Sequence, residues 1–228
     1  MTLRIILIFL LFIPALIFTM RYNLHMFQLN GYKNTEHLHW LKKNLRQQWL
    51  LIAGFIIGIL SFVFPCLFAD IVICLFFLVT IIVYKELKNS NTKKKLVYTA
   101  RVKRLLITNI ILILIVTVPT LLFMISKTTS IFLILVSLQL IATIITNIIN
   151  HPIEYLIRRY YINDAKNKLK SMPNLTIIGV TGSYGKTSVK FYLQTLLQES
   201  FNVLVTPESY NTPMGVVKTI RESLKPTH

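Results

Sequence analysis

The sequence predicts an α-helical polytopic membrane domain of about five transmembrane helices, followed by the start of an α/β domain built on a parallel sheet. Three observations carry this prediction. Of the 228 residues 54% are hydrophobic and mean hydropathy is +0.61, too apolar for a water-soluble domain. The apolar residues gather in runs long enough to cross a bilayer, which takes about 20 helical residues. Towards the C-terminal end the pattern changes to a short β-branched run, a glycine-containing turn and a helical repeat.

Leu3–Met20 is the first span. Arg4 ahead of it suits a signal peptide, but Thr19-Met20-Arg21-Tyr22 is a poor cleavage site, so an uncleaved helix is expected. Arg21–Gln48 is polar and basic, with Arg21, Lys33, Lys42, Lys43 and Arg46 against Glu36. Within it Leu38, Trp40, Leu41 and Leu45 are expected to lie on the membrane surface. Trp49–Tyr84 is too long for one straight span. Phe64-Pro65-Cys66 and Asp70 mark a reversal that divides it in two, and a single helix kinked at Pro65 is the alternative. Asp70 is read as an interfacial carboxylate beside that turn rather than a functional acid inside the membrane. Lys85–Arg104 is the second basic segment, which suits either a topogenic loop or anionic lipid headgroups. Leu105–Ile125, carrying Pro119, and Ile131–Ile149 complete the spans, with a turn at Ser126–Ser130.

The net charge of +17 sits between the spans, so the lipid bilayer is the expected partner and no nucleic acid is expected. Placing both basic segments on the cytoplasmic side requires an external N-terminus and delivers everything after Asn150 to the cytoplasm. Cys66 and Cys74 offer neither metal spacing nor a disulfide framework. His37 and His39 could share a face only on a strand, and headgroup contact is expected of them instead. Ile153–Ser171 is amphipathic, with Ile153, Leu156, Ile157, Tyr160 and Tyr161 opposed to Arg158, Arg159, Lys166, Lys168 and Lys170, and Pro152 suits its first turn. The organisation is therefore residues 1–150 as the transmembrane domain, 151–174 as a linker helix and 175–228 as the α/β segment.

That last segment carries the chemistry. Leu175–Val180 reads as a buried strand, Thr181–Gly185 as a tight turn and Lys186–Gln198 as a helix with Val189, Tyr192, Leu193, Leu196 and Leu197 on one face. Strand, glycine-rich turn, Gly-Lys-Thr and helix form the context of a phosphate-binding P-loop. Gly182 and Gly185 would let backbone N–H groups approach phosphate oxygens, Lys186 would reach the β- and γ-phosphates, and the Thr187 hydroxyl would ligate Mg²⁺. Val180 occupies the place of the first glycine in the generic G-x-x-x-x-G-K-[ST] pattern. An ordinary strand-turn-helix is the bland alternative.

Thr181-Gly182-Ser183-Tyr184-Gly185-Lys186-Thr187-Ser188 resembles the ATP-binding signature of the Mur ligase family, and with the following Val189-Lys190 looks most like its D-alanyl-D-alanine-adding branch. Phe201–Val205 reads as a second strand and Met214–Leu224 as a helix. Asn211–Gly215 is similar to the segment after the second strand in that family, where small polar residues face the nucleotide or substrate cleft; helix N-capping by Asn211 and Thr212 ahead of Pro213 is the other reading. The resemblance covers about the last quarter of the chain. It implies ATP and Mg²⁺ as cofactors and ATP-dependent amide formation in cell-wall precursor synthesis, between a carboxylate and an amine substrate. In that chemistry the γ-phosphate passes to the carboxylate and the amine attacks the acyl phosphate. The resemblance assigns Lys186 the catalytic role, the loop residues, Ser188 and Asn211 to the nucleotide, and Thr187 to the metal. It also implies a bacterial plasma membrane location, with the P-loop domain in the cytoplasm. The membrane domain stands where the family carries a uridine-nucleotide-binding domain, and the later elements of the family active site are absent, so an incomplete enzyme is expected. A membrane-bound P-loop ATPase or phosphotransferase, or a non-catalytic anchor, are the alternatives.

Overall fold

The computed structural model describes residues 2–89, 95–207, 210 and 212–227. Among them regular structure is helical throughout. The α-helices are α1 (Thr2–Leu29), α2 (Asn34–Lys43), α3 (Leu45–Val63), α4 (Leu67–Asn89), α5 (Ala100–Phe123), α6 (Thr128–Ser137), α7 (Gln139–Lys170), α8 (Lys186–Leu197) and α9 (Pro213–Ser223), with a 3₁₀ turn at Ile125–Lys127. The chain divides into two compact units, Met1–His151 and Pro152–His228.

Five helices are long and apolar enough to cross a membrane: Ile5–Leu29, Leu45–Val63, Leu67–Leu87, Ala100–Phe123 and Gln139–Lys170. At about 1.5 Å per residue, the ten residues of α6 span about half of a ~30 Å hydrocarbon layer. In the first unit α6 is instead core. Phe132, Leu133 and Val136 are fully buried, and Phe132 stacks on Phe12 of α1 at 4.3 Å between ring centroids. Phe77 of α4 and Leu51 of α3 close the same cluster. Away from that core the spans present exposed aliphatic side chains, among them Ile6, Leu10, Ile13 and Ile17 on α1 and Ile107, Leu114 and Ile115 on α5. Such a surface suits hydrocarbon, because lipid tails carry no penalty for meeting it.

The α3–α6 seam depends on two glycines. A Cβ placed at Gly54 would stand 2.6 Å from Ser137 Oγ and 2.8 Å from the Phe76 ring; one at Gly58 would stand 2.7 Å from Ile134 Cγ1. Gly54 and Gly58 are one helical turn apart, a small-xxx-small spacing that lets helices approach closely. Ser61 and Ser130 exchange a buried 2.6 Å hydrogen bond across the same seam.

Several boundaries differ from expectation, each for a physical reason. The first helix continues past Met20 to Leu29, with polar side chains bonding back along it: Thr19 Oγ1 donates to the Ala15 carbonyl and Asn23 Nδ2 to the Thr19 carbonyl. Tyr22, Leu24 and Phe27 are buried on that extension. Next, α2 turns His37 and Leu41 inward rather than to a membrane surface. His37 is fully buried, stacked on Trp40 at 5.3 Å, with Nδ1 accepting from Asn30 at 3.1 Å and Nε2 beside Thr143 Oγ1 at 3.4 Å. Asp70 lies in the first turn of α4, beside the reversal, and is buried.

The expected Ile131–Ile149 span is divided between α6 and α7 at Leu138. The separate amphipathic helix expected from Ile153 is the continuation of α7, and Pro152 lies inside it. Proline has no N–H for the carbonyl of Ile148, so α7 loses one rung there.

Ahead of α5, Leu96 packs on the Leu24, Phe27, Val102 and Leu105 cluster, and Gln28 clamps the backbone of Val97. Gln28 Nε2 donates to the Val97 carbonyl at 2.9 Å, and the Val97 N–H donates to Gln28 Oε1 at 3.0 Å. Beside this clamp the Arg101 guanidinium lies over the Tyr32 ring at 4.4 Å and donates to Asn147 Oδ1 at 3.1 Å.

Neither expected strand is present among the described residues: 175–180 and 202–207 have no regular structure. Ile177 and Ile178 are 70% and 58% exposed. A parallel sheet is stable when both its faces are covered, and the described residues provide no further strand for these two segments to pair with.

Candidate functional site

Within the second unit, residues 181–188 bring the expected loop to the N-terminus of α8. Gly182 takes φ +146° and Gly185 takes φ +76°, ψ −4°, backbone conformations that a side chain would strain. Gly185 caps the helix, and its carbonyl accepts the Val189 N–H at 2.9 Å. The amides of Lys186, Thr187 and Ser188 therefore precede the helical ladder, at the positive end of the α8 dipole. Lys186 folds back so that Nζ donates to the Gly182 carbonyl, closing the loop on itself. Thr181, Ser183, Tyr184, Thr187 and Ser188 are exposed, Tyr184 at 96%.

Two further contacts position this loop. Lys190, one turn into α8, donates to the Thr206 carbonyl and lies 3.2 Å from Thr206 Oγ1, tying α8 to the 202–207 segment. On the other side of that segment Thr212 caps α9: its Oγ1 accepts the Gly215 N–H at 3.2 Å, with Pro213 in the first turn. The capping reading of Thr212 is thus realised. Asn211 lies outside the described residues. Glu208 and Ser209 of the same loop do too.

Residues 180–228 match the Mur ligase middle domain. Over 54 residues the chain is 46% identical to the UDP-N-acetylmuramoyl-tripeptide–D-alanyl-D-alanine ligase of Synechocystis sp., a match covering 24% of this chain and 12% of that ligase. Over residues 180–228 the chain is similar to Mur ligases, and it spans about an eighth of the length of that relative. No solved structure matches the chain.

The Mur ligase segment is fastened through contacts that sequence reasoning missed. Arg221 of α9 pairs with Asp164 of α7 at 2.5 Å, and its guanidinium stacks over Tyr161 at 4.2 Å. The hydrogen bond to Asp164 holds the Arg221 pKa above its ordinary value. Lys168 Nζ adds a 2.9 Å bond to the Arg221 carbonyl. Tyr161, Asp164 and Lys168 are spaced i, i+3, i+7, one face of a helix. That spacing is the signal by which they could have been found. A cavity of about 590 Å³ runs along Arg158, Arg159 and Lys166 of α7 and does not include the loop. Among the described residues no three His, Cys, Asp or Glu side chains are grouped to hold a metal.

Proposed function

We propose that this protein is a membrane-anchored Mur ligase-type enzyme, an ATP-dependent ligase that joins a carboxylate to an amine in cell-wall precursor synthesis. The observation that carries the reading is the Thr181–Ser188 sequence at the N-terminus of α8, inside the segment shared with Mur ligases. Its geometry fits a polyphosphate: two positive-φ glycines, three amides ahead of the helical ladder and one ammonium within reach of the loop. Bound ATP with Mg²⁺ supplies the activation of the carboxylate. The chain's own contribution is charge and position. Gly182, Ser183, Tyr184 and Gly185 present backbone N–H groups, Lys186 exchanges the Gly182 carbonyl for phosphate oxygens, and Thr181 and Ser188 border the loop. Thr187 offers the metal its hydroxyl, and the family resemblance assigns Asn211 to the nucleotide. Lys186 is the group whose charge stabilises the transferring phosphoryl group.

The proposed organisation is a membrane domain over 1–150, a linker over 151–174 and the ligase segment over 175–228. The bilayer of the proposal is the plasma membrane of a bacterial cell, and the two basic segments support a cytoplasmic ligase segment, on the side of ATP. The Synechocystis relative points to a muramoyl tripeptide and D-alanyl-D-alanine as the first substrates to try.

The test is ATP binding by the full chain in lipid nanodiscs, with and without Mg²⁺, beside Lys186→Ala. Saturable, Mg²⁺-dependent binding weakened at least about tenfold in the variant is expected. Equal affinity in both proteins would remove Lys186 from the site, and no binding to either would leave the anchor reading in its place.

A further inference from the structure

A second, separate site lies in the first unit. A cavity of about 280 Å³ is lined by Arg21 and His25 of α1 and by Lys95, just ahead of α5. Its walls are the rings of Phe18, Tyr22 and Tyr84 with Leu96. Two permanent cations and an imidazole therefore share one small space, and no carboxylate lines it. Phe18, Arg21, Tyr22 and His25 recur at i, i+3, i+4, i+7, so α1 gives one continuous face to the cavity. Lys95 reaches the same space because the Gln28 clamp on Val97 fixes the neighbouring backbone.

The surface below the cavity selects the kind of anion. Ile6, Leu10, Ile13 and Ile17 are exposed on α1, at 56%, 62%, 39% and 48%, and Arg21 follows Ile17 by one turn on the same side. An aliphatic stripe about three turns long thus leads up to the cationic cavity. This is the layout of an amphiphile: hydrocarbon along the helix, negative charge at its end.

We propose that this cavity binds the phosphate of an anionic membrane lipid. Arg21 and Lys95 pair with the phosphodiester, His25 and the tyrosine edges border the headgroup, and one acyl chain lies along Ile17, Ile13 and Leu10. The rings of Phe18, Tyr22 and Tyr84 would suit a quaternary ammonium, but Arg21 and Lys95 repel one and no acidic lining residue offsets them, so a net-anionic phosphatidylglycerol-type lipid is favoured over phosphatidylcholine. The assignment rests on the membrane placement of α1 and not on the ligase reading, so either stands without the other.

The experiment is native mass spectrometry and fluorescent-lipid titration of the detergent-solubilised full chain. The probes are phosphatidylglycerol, phosphatidylcholine, and the water-soluble sn-glycerol 3-phosphate and inorganic phosphate as competitors. Phosphatidylglycerol should bind more tightly than phosphatidylcholine. Arg21→Gln or Lys95→Gln should each weaken it about fivefold, and the pair about 25-fold, as expected for one surface cation each. Lys95 is exposed and outside any helix, so Lys95→Gln tests the site without touching the packing of α1. Lys42→Gln with Lys43→Gln, cations on α2 outside the cavity, should leave binding unchanged. Equal binding of the two lipids, an equal loss in the α2 pair, or displacement by glycerol phosphate at the same concentration as the lipid would each overturn the assignment.

Discussion

Gly58→Ala puts the α3–α6 seam under direct strain. Its new Cβ would lie 2.7 Å from Ile134 Cγ1 and 3.4 Å from both the Ile134 nitrogen and the Ser130 carbonyl oxygen. Carbon atoms at optimal separation stand about 3.5–4 Å apart, so α6 must retreat by roughly 1 Å or Ile134 must change rotamer. A β-branched side chain has few rotamers to change to. Two effects oppose each other. Alanine gains about 1 kcal/mol over glycine in a helix, while overpacking costs about 1–3 kcal/mol. Retreat of α6 also stretches the 2.6 Å Ser61–Ser130 bond, worth about 1 kcal/mol. The sum is a net loss of about 1–3 kcal/mol, read as a lower melting temperature of the detergent-solubilised protein by the fluorescence of Trp40 and Trp49. In an Ile134→Ala background the obstruction is gone, and Gly58→Ala should be neutral or stabilising by up to about 1 kcal/mol. A higher melting temperature for Gly58→Ala alone, or the same penalty in both backgrounds, would refute the close approach of α3 and α6.

Three other outcomes follow from sites already described. Burial lowers the His37 pKa from 6.5 to about 4, and Nδ1 accepts a hydrogen bond that protonation would abolish. The unfolded chain therefore binds the extra proton first, and stability should fall by roughly 3 kcal/mol as pH drops from 6.5 to 4; thermal melts across that range should show a dependence that His37→Gln flattens. Gly185→Val forces a β-branched residue to φ +76°, at a cost of about 1–3 kcal/mol, so hydrogen exchange should accelerate in the first turn of α8 and not in α1–α6. Thr212→Ala removes the α9 cap, worth about 1 kcal/mol, and amides of the first α9 turn should exchange about fivefold faster.

Hydropathy alone was enough to find five helices of spanning length, because a long apolar run has few alternatives. It misplaced the end of α1, since Arg21, Asn23 and His25 read as loop residues. Asn23 bonding back to the Thr19 carbonyl is a local satisfaction that hydropathy does not register. The break at Leu138 carries no proline or glycine to announce it, and it is slight: Leu138 keeps αR dihedrals, donates to the Ile134 carbonyl and accepts the Ala142 N–H. His37 was misread because its isolation among polar residues suggested the surface, whereas its partners Asn30 and Thr143 are distant in sequence or on another helix. At the candidate site the turn at 181–185 and the start of α8 at Lys186 were legible, since glycine spacing is a local signal. The strands were not, because β-branched residues specify a strand only when neighbours complete the ladder. The Arg221–Asp164 pair joins residues far apart in sequence, so the local spacing of Tyr161, Asp164 and Lys168 marks the helix face but not Arg221 as its partner.

The Gln28–Val97 clamp distributes mutational tolerance unevenly between its two partners. Gln28 grips only main-chain atoms of Val97, whose side chain is 60% exposed. Position 97 is therefore open to almost any residue, polar or apolar, and closed to proline alone, which would remove the N–H that Gln28 accepts. Position 28 has no such latitude. Glutamate keeps the length but loses the donor, and asparagine keeps the amide but falls one methylene short. A saturation library should thus be permissive at one end of this contact and strict at the other, although both residues make the same pair of bonds.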